Sequence, residues 1–492
     1  MAPTNSSTPS ALPTILEEIV ATRRTHLDDI RDRIAHVDPA TLPLSERSLE
    51  EGLAQRGRGG AAFIMECKSA SPSLGLIRSE YNPGAIARIY SRFAVGISVL
   101  CEPARFGGDY DHLSTVAAST HLPVLCKDFI IDECQIIAAR YFGADAILLM
   151  LSILSDEQYR HLAAVAARYN LDILTEVIDE EEVVRAQKLG ARIFGVNHRN
   201  LHDLSIDLSR SAALGKLIGD DAILVAESGI RDNHTVRTLS AHANGFLVGS
   251  QLTSQPDVDL AARMLVYGAN KVCGITSPEV AQGVRSMGAV YGGLIFEETS
   301  PRNVSRETAQ KIIHAEPDLH YVAVSRRTEN FHELAMPGIH AVQLHAPLCA
   351  SIEEELKLID AARRDLDRAG FPDIRLWRAI SMTKPNGPFI AQQLVGRVDK
   401  LVLDAGEGGS GETFDWTLIS DEIKQHSFIA GGLNLDNLDE ALAVGAYGLD
   451  VNSGVEYPDH SHRHHTKDLG LVAHAFARIR SFHYTPSKKT GA

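Results

Sequence analysis

Short apolar segments recur along the chain about every 20–35 residues, and amphipathic helical patterns lie between them. In the first half these segments predict eight strands, at 61–68, 96–102, 123–129, 146–151, 172–177, 192–197, 222–229 and 245–250. Continuous apolar strands that alternate with helices are typical of a parallel sheet covered by helices. Eight such units within about 200 residues predict a closed (β/α)8 barrel.

The same pattern then begins again. The second half predicts eight more strands, at 270–275, 290–296, 320–325, 341–345, 375–380, 400–405, 427–432 and 448–453. We therefore predict an α/β fold of two fused (β/α)8 TIM barrels. The segment 13–35 predicts one long amphipathic helix, an N-terminal extension that would cap one end of the first barrel.

The repeat also predicts the domain organisation. We expect a disordered leader at 1–14, a barrel at 15–267 that ends with a helix at 257–268, and a second barrel at 268–492. A doubly wound open sheet would show a similar alternation of strands and helices. However, no GxGxxG follows the first strand and no GxxxxGK[ST] occurs, so the nucleotide-binding fingerprints of such sheets are absent and barrels are favoured.

Composition narrows the class of protein. The 492 residues are 44% hydrophobic and 23% charged, as in ordinary globular enzymes, and the formal net charge of −15 disfavours a nucleic-acid partner. No apolar run approaches the ~20 residues of a membrane span, and the first residues resemble no secretory signal. The six cysteines form no CxxC pair, which argues against zinc ribbons and thioredoxin motifs, and their low density suits a reduced cytoplasm.

Polar side chains end or follow most of the predicted strands of the first half. Chemistry in β/α barrels lies at this carboxyl end of the strands, so these side chains are candidates for one site. A single charged strand end is explained equally well by a surface ion pair, but the repetition on several strands favours a site. The candidates are Glu66, Lys68, Lys127, Glu176, Asn197, Arg199, Glu227, Ser228, Gly249 and Ser250.

These residue types indicate acid–base chemistry on a small anion. Lysines that face glutamates can divide into acid and base roles, because neighbouring charges shift their pKa values in opposite directions. Asn197 and Arg199 offer donors for a carboxylate or hydroxyl group. Small residues after strands seven and eight, with Ser71 as a further wall, suit a phosphate group. The phosphate-binding candidates here are Gly229, Gly249 and Ser250.

The second half carries fewer such residues. Cys273 ends its first strand and Asp404 its sixth, and a thiol and a carboxylic acid on opposite sides of one ligand suit a proton-transfer isomerisation. A free thiol titrates near pKa ~8.5, so Cys273 would need a local positive field to act as a base. For either residue alone, a core cysteine or a helix-capping aspartate would be the favoured explanation, but the motifs "GGSG" and "SGVE" favour a site. The remaining candidates are Arg302 and His345 for substrate and Gly409, Gly431, Gly432, Ser453 and Gly454 for phosphate.

The motifs resemble two known families, in order along the chain. "ECKSASPSLG", "LCKDFIID", "TEV", "NHRNL", "AESGI" and "FLVGS" resemble indole-3-glycerol phosphate synthase over about 12–265. "KVCGIT", "GGLIFEETSPRNV", "VQLHA", "LDAGEGGSGETFDW", "IAGGLNLDN" and "LDVNSGVE" resemble phosphoribosylanthranilate isomerase over about 269–480. The order resembles the bifunctional enzymes of bacterial tryptophan biosynthesis.

The resemblance implies two consecutive reactions. The second barrel would convert N-(5′-phosphoribosyl)anthranilate to the 1-deoxyribulose 5-phosphate form, with Asp404 as general acid, Cys273 as general base and Arg302 on the carboxylate. The first barrel would then close the indole ring, with loss of CO2 and water. Lys127 would be its general acid and Glu176 its general base, and Lys68 with Glu66 would hold substrate and share proton transfers. Pocket-lining roles would fall to Asn197, Arg199, Glu227 and Ser228.

The resemblance implies no metal and no organic cofactor. Its partners would be small phosphorylated anthranilate–sugar substrates, and we expect a monomer. The chain departs from the family pattern at His198, at Ala346 and in the segment "YPDHSHRHHTKD" after "SGVE", where Lys467 and Asp468 keep the end of the loop. We interpret the histidine run 459–465 as an exposed loop in preference to an adventitious metal site.

Two other functions stay open at this stage. One is a Schiff-base aldolase with Lys127 or Lys68 as nucleophile, which borohydride would trap as a stable lysine adduct. The other is a phosphosugar-binding protein in which one barrel has lost its activity, although both proposed acid–base pairs are present in the sequence.

Overall fold

The computed structural model describes residues 14–57, 60–72, 74–200, 204–219, 221–406 and 413–484. These residues form two compact units. One runs to Ala262 and includes His483 and Tyr484, and the other spans Arg263–Phe482. The division falls inside the helix predicted to end the first barrel, and most of the predicted leader lies outside the described residues.

The first unit contains a closed barrel of eight parallel strands, as predicted. Each strand pairs with its neighbours in chain order, and the last pairs with the first. A small antiparallel hairpin of two further strands, β2 and β3, follows β1. The ten strands are β1 Ala62–Cys67, β2 Ala70–Ser71, β3 Gly75–Leu76, β4 Gly96–Leu100, β5 Val124–Lys127, β6 Ala146–Met150, β7 Asp172–Val177, β8 Ile193–Asn197, β9 Ile223–Glu227 and β10 Gly245–Val248.

Helices cover the outside of this barrel. Several begin at a side-chain cap; α7, for instance, has a capping box in which Asp132 and Gln135 satisfy each other's backbone donors. The helices of this unit are α1 Thr14–Thr25, α2 Leu27–Arg33, α3 Leu49–Gly57, α4 Pro83–Tyr90, α5 Pro103–Phe106, α6 Tyr110–Ser119, α7 Glu133–Tyr141, α8 Asp156–Arg168, α9 Glu180–Lys188, α10 Arg210–Ile218, α11 Asn233–Leu239 and α12 Ser250–Thr253; α13, Val258–Tyr267, carries the division between the units, and Pro39–Thr41 is a 3-10 turn.

The N-terminal extension is two helices, not the single long helix predicted. The interruption at His26 falls beside Arg23, whose guanidinium is buried against Asp128 with an Nε–Oδ1 distance of 2.9 Å. Helix α1 lies over the carboxyl end of the barrel, where Ile15, Leu16 and Ile19 line a cavity. The extension therefore covers the end of the barrel at which the candidate residues lie.

The two-residue period of the strands explains why charged residues occupy that end. In β1, Ala62 and Ile64 belong to the apolar core of the barrel, and Glu66 follows at the next position on the same face. In the same way Leu174 precedes Glu176 in β7, and Leu125 precedes Lys127 in β5. Each of these three strands thus packs aliphatic side chains in the interior and then places one ionisable group at or near its carboxyl end.

The second unit is also a closed barrel of eight parallel strands, as predicted. The strands are β11 Lys271–Val272, β12 Tyr291–Ile295, β13 His320–Ser325, β14 Ile339–Leu344, β15 Arg375–Ser381, β16 Lys400–Asp404, β17 Ser427–Ile429 and β18 Gly448–Val451. Its helices are α14 Pro278–Ser286, α15 Arg306–Ala315, α16 Ile352–Arg368, α17 Gly387–Leu394, α18 Asp421–Lys424, α19 Leu438–Ala443 and α20 Leu469–Ser481, with 3-10 turns at Phe331–Leu334, Trp416–Leu418 and Ser453–Val455. A 3-10 turn replaces the usual helix between β13 and β14.

Candidate active sites

A cavity of about 450 Å³ opens at the carboxyl end of the first barrel. It gathers side chains from the ends of β1, β5, β7 and β8 and from the loops after β1, β9 and β10. The predicted residues that line it are Glu66, Lys68, Ser71, Lys127, Glu176, Asn197, Arg199, Ser228, Gly229, Gly249 and Ser250. Glu227 is buried beneath this lining, where it contacts Lys127.

Lys127 lies between two carboxylates. Its Nζ is 3.0 Å from Glu227 Oε2 and 3.3 Å from Glu66 Oε2, and Lys68 Nζ is 2.6 Å from the other oxygen of Glu66. Burial alone would lower the pKa of Lys127, but Glu227 and Glu66 outweigh burial and raise it. Burial likewise would raise the pKa of Glu66, but Lys127 and Lys68 lower it. Lys127 is therefore held as an ammonium group at neutral pH.

Glu176, in contrast to Lys127, is shifted toward its uncharged form. It is 4% exposed, and its Oε1 accepts a hydrogen bond of 3.1 Å from the Asn197 side-chain amide. Burial raises the pKa of Glu176 to about 8, with a further contribution from Glu227 that Lys127 partly offsets. A carboxyl group with a pKa near neutrality can accept a proton and release it again, as a general base must.

The backbone after β9 and the loop after β1 complete the polar wall. Ser228 and Gly229 both have left-handed backbone conformations, with φ of 66° and 78°, which a serine rarely adopts. Ser71 is buried, and its Oγ accepts a hydrogen bond from the Leu74 backbone. His198, a departure from the family pattern, is structural: its ring contacts the Ser228 carbonyl and the Ser211 hydroxyl.

Sequence reasoning missed the apolar half of this cavity. Helix α1 contributes Ile15, Leu16 and Ile19, the end of helix α5 adds Phe106, and the loop after β5 adds Phe129. These side chains give the cavity an apolar surface that would suit an aromatic ring. The signal available in the sequence was the apolar face of the segment 13–35, but that face is equally suited to any helix packed on a barrel.

We predict that Gly249→Ala impairs the first barrel through Glu66. Gly249 has an ordinary φ of −121°, but an added Cβ would clash with Glu66 Oε1 and lie 3.0 Å from its Cδ. Displacement of Glu66 would disturb both lysines, so we expect loss of first-barrel activity by about 10–100-fold with the other barrel unchanged. Gly215→Ala in α10, where the nearest atoms are 3.3 Å from the new Cβ, is the matched control. Equal rates in the two variants would contradict this role for Gly249.

A second cavity, of about 420 Å³, opens at the carboxyl end of the second barrel. The predicted residues that line it are Cys273, Arg302, His345, Asp404, Gly431, Gly432 and Ser453. Gly454 is not in this lining, because it packs against the backbone carbonyl of Leu433 with no space for a side chain. Gly409 lies outside the described residues.

Cys273 adjoins a buried ion pair that sequence reasoning missed. Lys271 Nζ is 2.7 Å from Asp450 Oδ2, and both side chains are almost wholly buried. Burial raises the pKa of the Cys273 thiol, although Lys271 opposes it. Lys271 thus supplies part of the positive field that a thiolate base needs. The signal in the sequence was a charged residue inside each of the apolar strands "KVCGI" and "GLDV".

The pKa of Asp404, in the same cavity, is raised toward neutrality. Burial raises its pKa to about 6, against a hydrogen bond from the Gly406 backbone. His345 Nε2 is 3.8 Å from Asp404 Oδ2, and the Gln343 amide contacts His345 Nδ1 at 3.1 Å. Burial and nearby cations, Lys271 first among them, lower the pKa of His345 to about 4, so its ring is neutral at pH 7.

One edge of the Arg302 guanidinium is held by Glu456, another residue that the sequence analysis did not select. Nε and Nη2 of Arg302 donate to the two oxygens of Glu456 at 2.7 and 2.8 Å. Lys467 also binds Glu456, and it donates to Asn452 Oδ1 at 2.8 Å. This bidentate pair uses Nε and Nη2, so Nη1 takes no part in it, and the Arg302 side chain also lines the cavity.

Across the described parts of the chain, no cluster of three or more His, Cys, Asp or Glu side chains has the arrangement of a metal site. In the histidine run, His460, His462 and His464 are exposed, as predicted. His465 differs, because its side chain lines the second cavity.

Among the same described residues, no helix combines the length and the apolar character that a bilayer crossing requires.

The fold and the two cavities define a bifunctional enzyme of two (β/α)8 barrels, each with ionisable groups gathered at the carboxyl end of its strands. Two family models match the chain: Indole-3-glycerol phosphate synthase over residues 16–265 and N-(5'phosphoribosyl)anthranilate (PRA) isomerase over residues 270–460. The chain belongs to the family of bifunctional tryptophan-biosynthesis enzymes that carry these two domains in this order.

Three relatives with similar sequences agree with this assignment. The tryptophan biosynthesis protein TrpCF of Corynebacterium glutamicum is 66% identical over 97% of this chain and 100% of its own length. The TrpCF proteins of Yersinia pestis and Salmonella typhi are 46% and 43% identical, over 80% and 86% of this chain and 80% and 89% of their own. A solved phosphoribosyl anthranilate isomerase from Thermus thermophilus matches 43% of this chain and 98% of its own, at 26% identity and a TM-score of 0.36.

Proposed function

We propose that the second barrel isomerises N-(5′-phosphoribosyl)anthranilate to 1-(2-carboxyphenylamino)-1-deoxyribulose 5-phosphate, and that the first barrel converts this product to indole-3-glycerol phosphate with loss of CO2 and water. The observation that carries the proposal is that each barrel brings one proposed proton donor and one proposed proton acceptor into a single cavity. The residue roles described next belong to the same proposal.

In the isomerase cavity, Asp404 protonates the furanose ring oxygen and the ring opens. Cys273 then removes the C2′ proton, and the double bond moves to give the enol of the amino ketose. Arg302 holds the substrate carboxylate through its Nη1 edge, while Glu456 keeps the guanidinium in place from the other side. Neutral His345 contacts the substrate beside Asp404, and the backbone near Gly431, Gly432 and Ser453 binds the phosphate group.

In the synthase cavity, the apolar wall from α1 receives the aryl ring, and Asn197 and Arg199 bind polar groups of the substrate. Lys127, kept protonated by Glu66 and Glu227, is the general acid that assists closure of the ring and loss of the hydroxyl group as water. Glu176 is the general base, and Lys68 holds the substrate carboxylate. Ser228, Gly229, Gly249 and Ser250 surround the phosphate group.

The state of Lys127 disfavours the aldolase alternative. A Schiff-base nucleophile must be a neutral amine, whereas two carboxylates raise the pKa of Lys127. We therefore expect borohydride to leave no stable lysine adduct when substrate is present. A trapped adduct on Lys127 or Lys68 would favour the aldolase instead.

The partners and the location of the protein belong to the same proposal. Each cavity contains its proposed proton donor and acceptor within one barrel, and we keep the expectation of a monomer that binds small phosphorylated anthranilate–sugar substrates. Six free thiols, five of them buried, support a cytoplasmic location, where thiols stay reduced. We also propose the domain boundary at 267/268, close to the division between the compact units.

The decisive experiment follows both steps in one cuvette. Anthranilate condensed chemically with ribose 5-phosphate gives the first substrate, and the purified chain should consume its fluorescence and then produce indole fluorescence. The expected result is sequential conversion without any added cofactor. Consumption without indole formation, or no reaction at all, would contradict the proposal for the first barrel or for both barrels, respectively.

A further inference from the structure

The loop that departs from the family pattern reaches the isomerase cavity. Residues 457–466 are closed at the base by an isolated bridge between Glu456 and Lys467 and by a hydrogen bond of 3.1 Å from the Tyr457 backbone to the Thr466 carbonyl. Inner turns, such as the bond from the His464 backbone to the Ser461 carbonyl, order the rest of the loop. Of its four histidines, only His465 lines the cavity.

The backbone holds His465 in an unusual conformation. Its φ is 66°, in the left-handed region that only a few per cent of non-glycine residues adopt, although histidine, like asparagine and aspartate, adopts it more often than most. Such strain of a non-glycine residue often accompanies a side chain that is needed in one particular place. The side chain is 37% exposed, so it is open to a ligand in the cavity rather than packed into the core.

His465 and Arg302 face the same carboxylate oxygen. Arg302 Nη2 donates to Glu456 Oε2 at 2.8 Å, and His465 Nδ1 lies 4.0 Å from the same oxygen. The charged groups around this point are Glu456, Arg302 and Lys467, so one carboxylate and two cationic side chains lie close to His465. A ligand carboxylate that binds the outer edge of Arg302 would come within reach of His465.

We propose that His465 is a substrate-binding residue of the isomerase cavity, where it contacts the carboxylate of the aryl ring alongside Arg302. The inference rests on the proposed function of the second barrel. It assigns the histidine-rich loop a role in recognition of the carboxylate, and it distinguishes His465 from the other three histidines, which stay exposed.

The test separates the side chain from the backbone conformation. Glycine and asparagine both tolerate a positive φ, so His465→Gly and His465→Asn remove the imidazole without removing the turn. We expect both variants to raise the isomerase KM and the inhibition constant of anthranilate about tenfold, as for loss of one charge-assisted hydrogen bond, with kcat little changed. His462→Asn, in the same loop but exposed, is the matched control and should behave as the wild type.

Inorganic phosphate serves as a second probe. Its inhibition constant should be equal in wild type and variants, because His465 contacts the carboxylate and not the phosphate group. An unchanged KM in both His465 variants, an equal loss in His462→Asn, or weaker inhibition by phosphate would overturn the proposal. Absence of isomerase activity in the wild type would instead contradict the proposed function, so the two failures are distinguishable.

Discussion

The Cys273→Ala substitution should slow isomerisation by ~10²–10⁴-fold, the usual effect of removing one acid–base group, and leave ring closure unchanged. The thiol lines the isomerase cavity, and the described parts of that cavity offer no second thiol to replace it. Isomerisation is measured by loss of substrate fluorescence, and ring closure by indole formation from the isomerised intermediate supplied directly. The intact first barrel in the same chain is the internal control.

Asp404→Asn should give a loss of the same size with a different pH dependence. The pKa of Asp404 is about 6 and that of the Cys273 thiol is raised, so the reactive state, protonated acid with thiolate, is a minor population. That population rises up to about pH 6 and is then constant up to the pKa of the thiol. In Asp404→Asn the change of slope near pH 6 should be absent, and the residual rate should rise continuously with pH until the thiol is ionised.

The Asp404→Asn variant tests which group causes the rise of the isomerisation rate up to about pH 6, a question that the wild-type curve alone does not answer. The substrate phosphate also titrates near pH ~6, but it does so identically for both proteins. Retention of the change of slope near pH 6 in Asp404→Asn would assign it to the substrate and remove the support for Asp404 as the acid. Loss of ring closure in a folded Cys273→Ala or Asp404→Asn chain would contradict two independent sites.

The second large effect concerns the first barrel. Lys127→Ala and Glu176→Gln should each slow ring closure by ~10²–10⁴-fold and leave isomerisation intact. Lys127→Ala also leaves Glu66 and Glu227 without their shared cation, and a buried unpaired carboxylate is unfavourable. We therefore expect this variant to be less stable, and rates should be compared at a temperature at which both proteins are folded.

Glu176→Gln should have the opposite effect on stability. The folded pKa of Glu176, about 8, lies above the value of 4.5 for a free glutamate, so the folded chain keeps a proton that the unfolded chain releases. The contribution of this group to the free energy of unfolding is fully present below pH 4.5 and is lost as the pH rises through about 8. A neutral glutamine removes that loss, so the melting temperature of the variant should exceed that of the wild type above pH 8 and approach it at low pH.

The pH dependence of ring closure provides the remaining check. In the wild type kcat/KM should rise to about pH 8, because the base form of Glu176 appears through its pKa. In Glu176→Gln this rise should be absent. A rise of equal size in Glu176→Gln would exclude Glu176 as the base, and a Glu176→Gln chain that loses isomerisation as well would show that the substitution acts on folding.

Much of this architecture could be predicted because it depends on local patterns. The continuous apolar runs identified all sixteen barrel strands, since a strand that is buried on both faces consists mainly of apolar side chains. The candidate residues could be selected because a barrel presents the carboxyl ends of its strands at one rim. The single long helix predicted at 13–35 was wrong, because periodicity does not detect an interruption at His26 beside an inward-turned Arg23.

By itself the sequence determined two barrels, the position of each ionisable residue at a strand end, and the families that these motifs resemble. Only the tertiary structure decided which side chains lie close enough to affect each other's charge state: Lys127 between Glu66 and Glu227, Glu176 beside Asn197, and Lys271 near Cys273. It also decided that His465 lines a cavity while His462 does not. The reason is physical, since a pKa or a contact depends on distance and burial among residues far apart in the chain, whereas strand periodicity depends on neighbours.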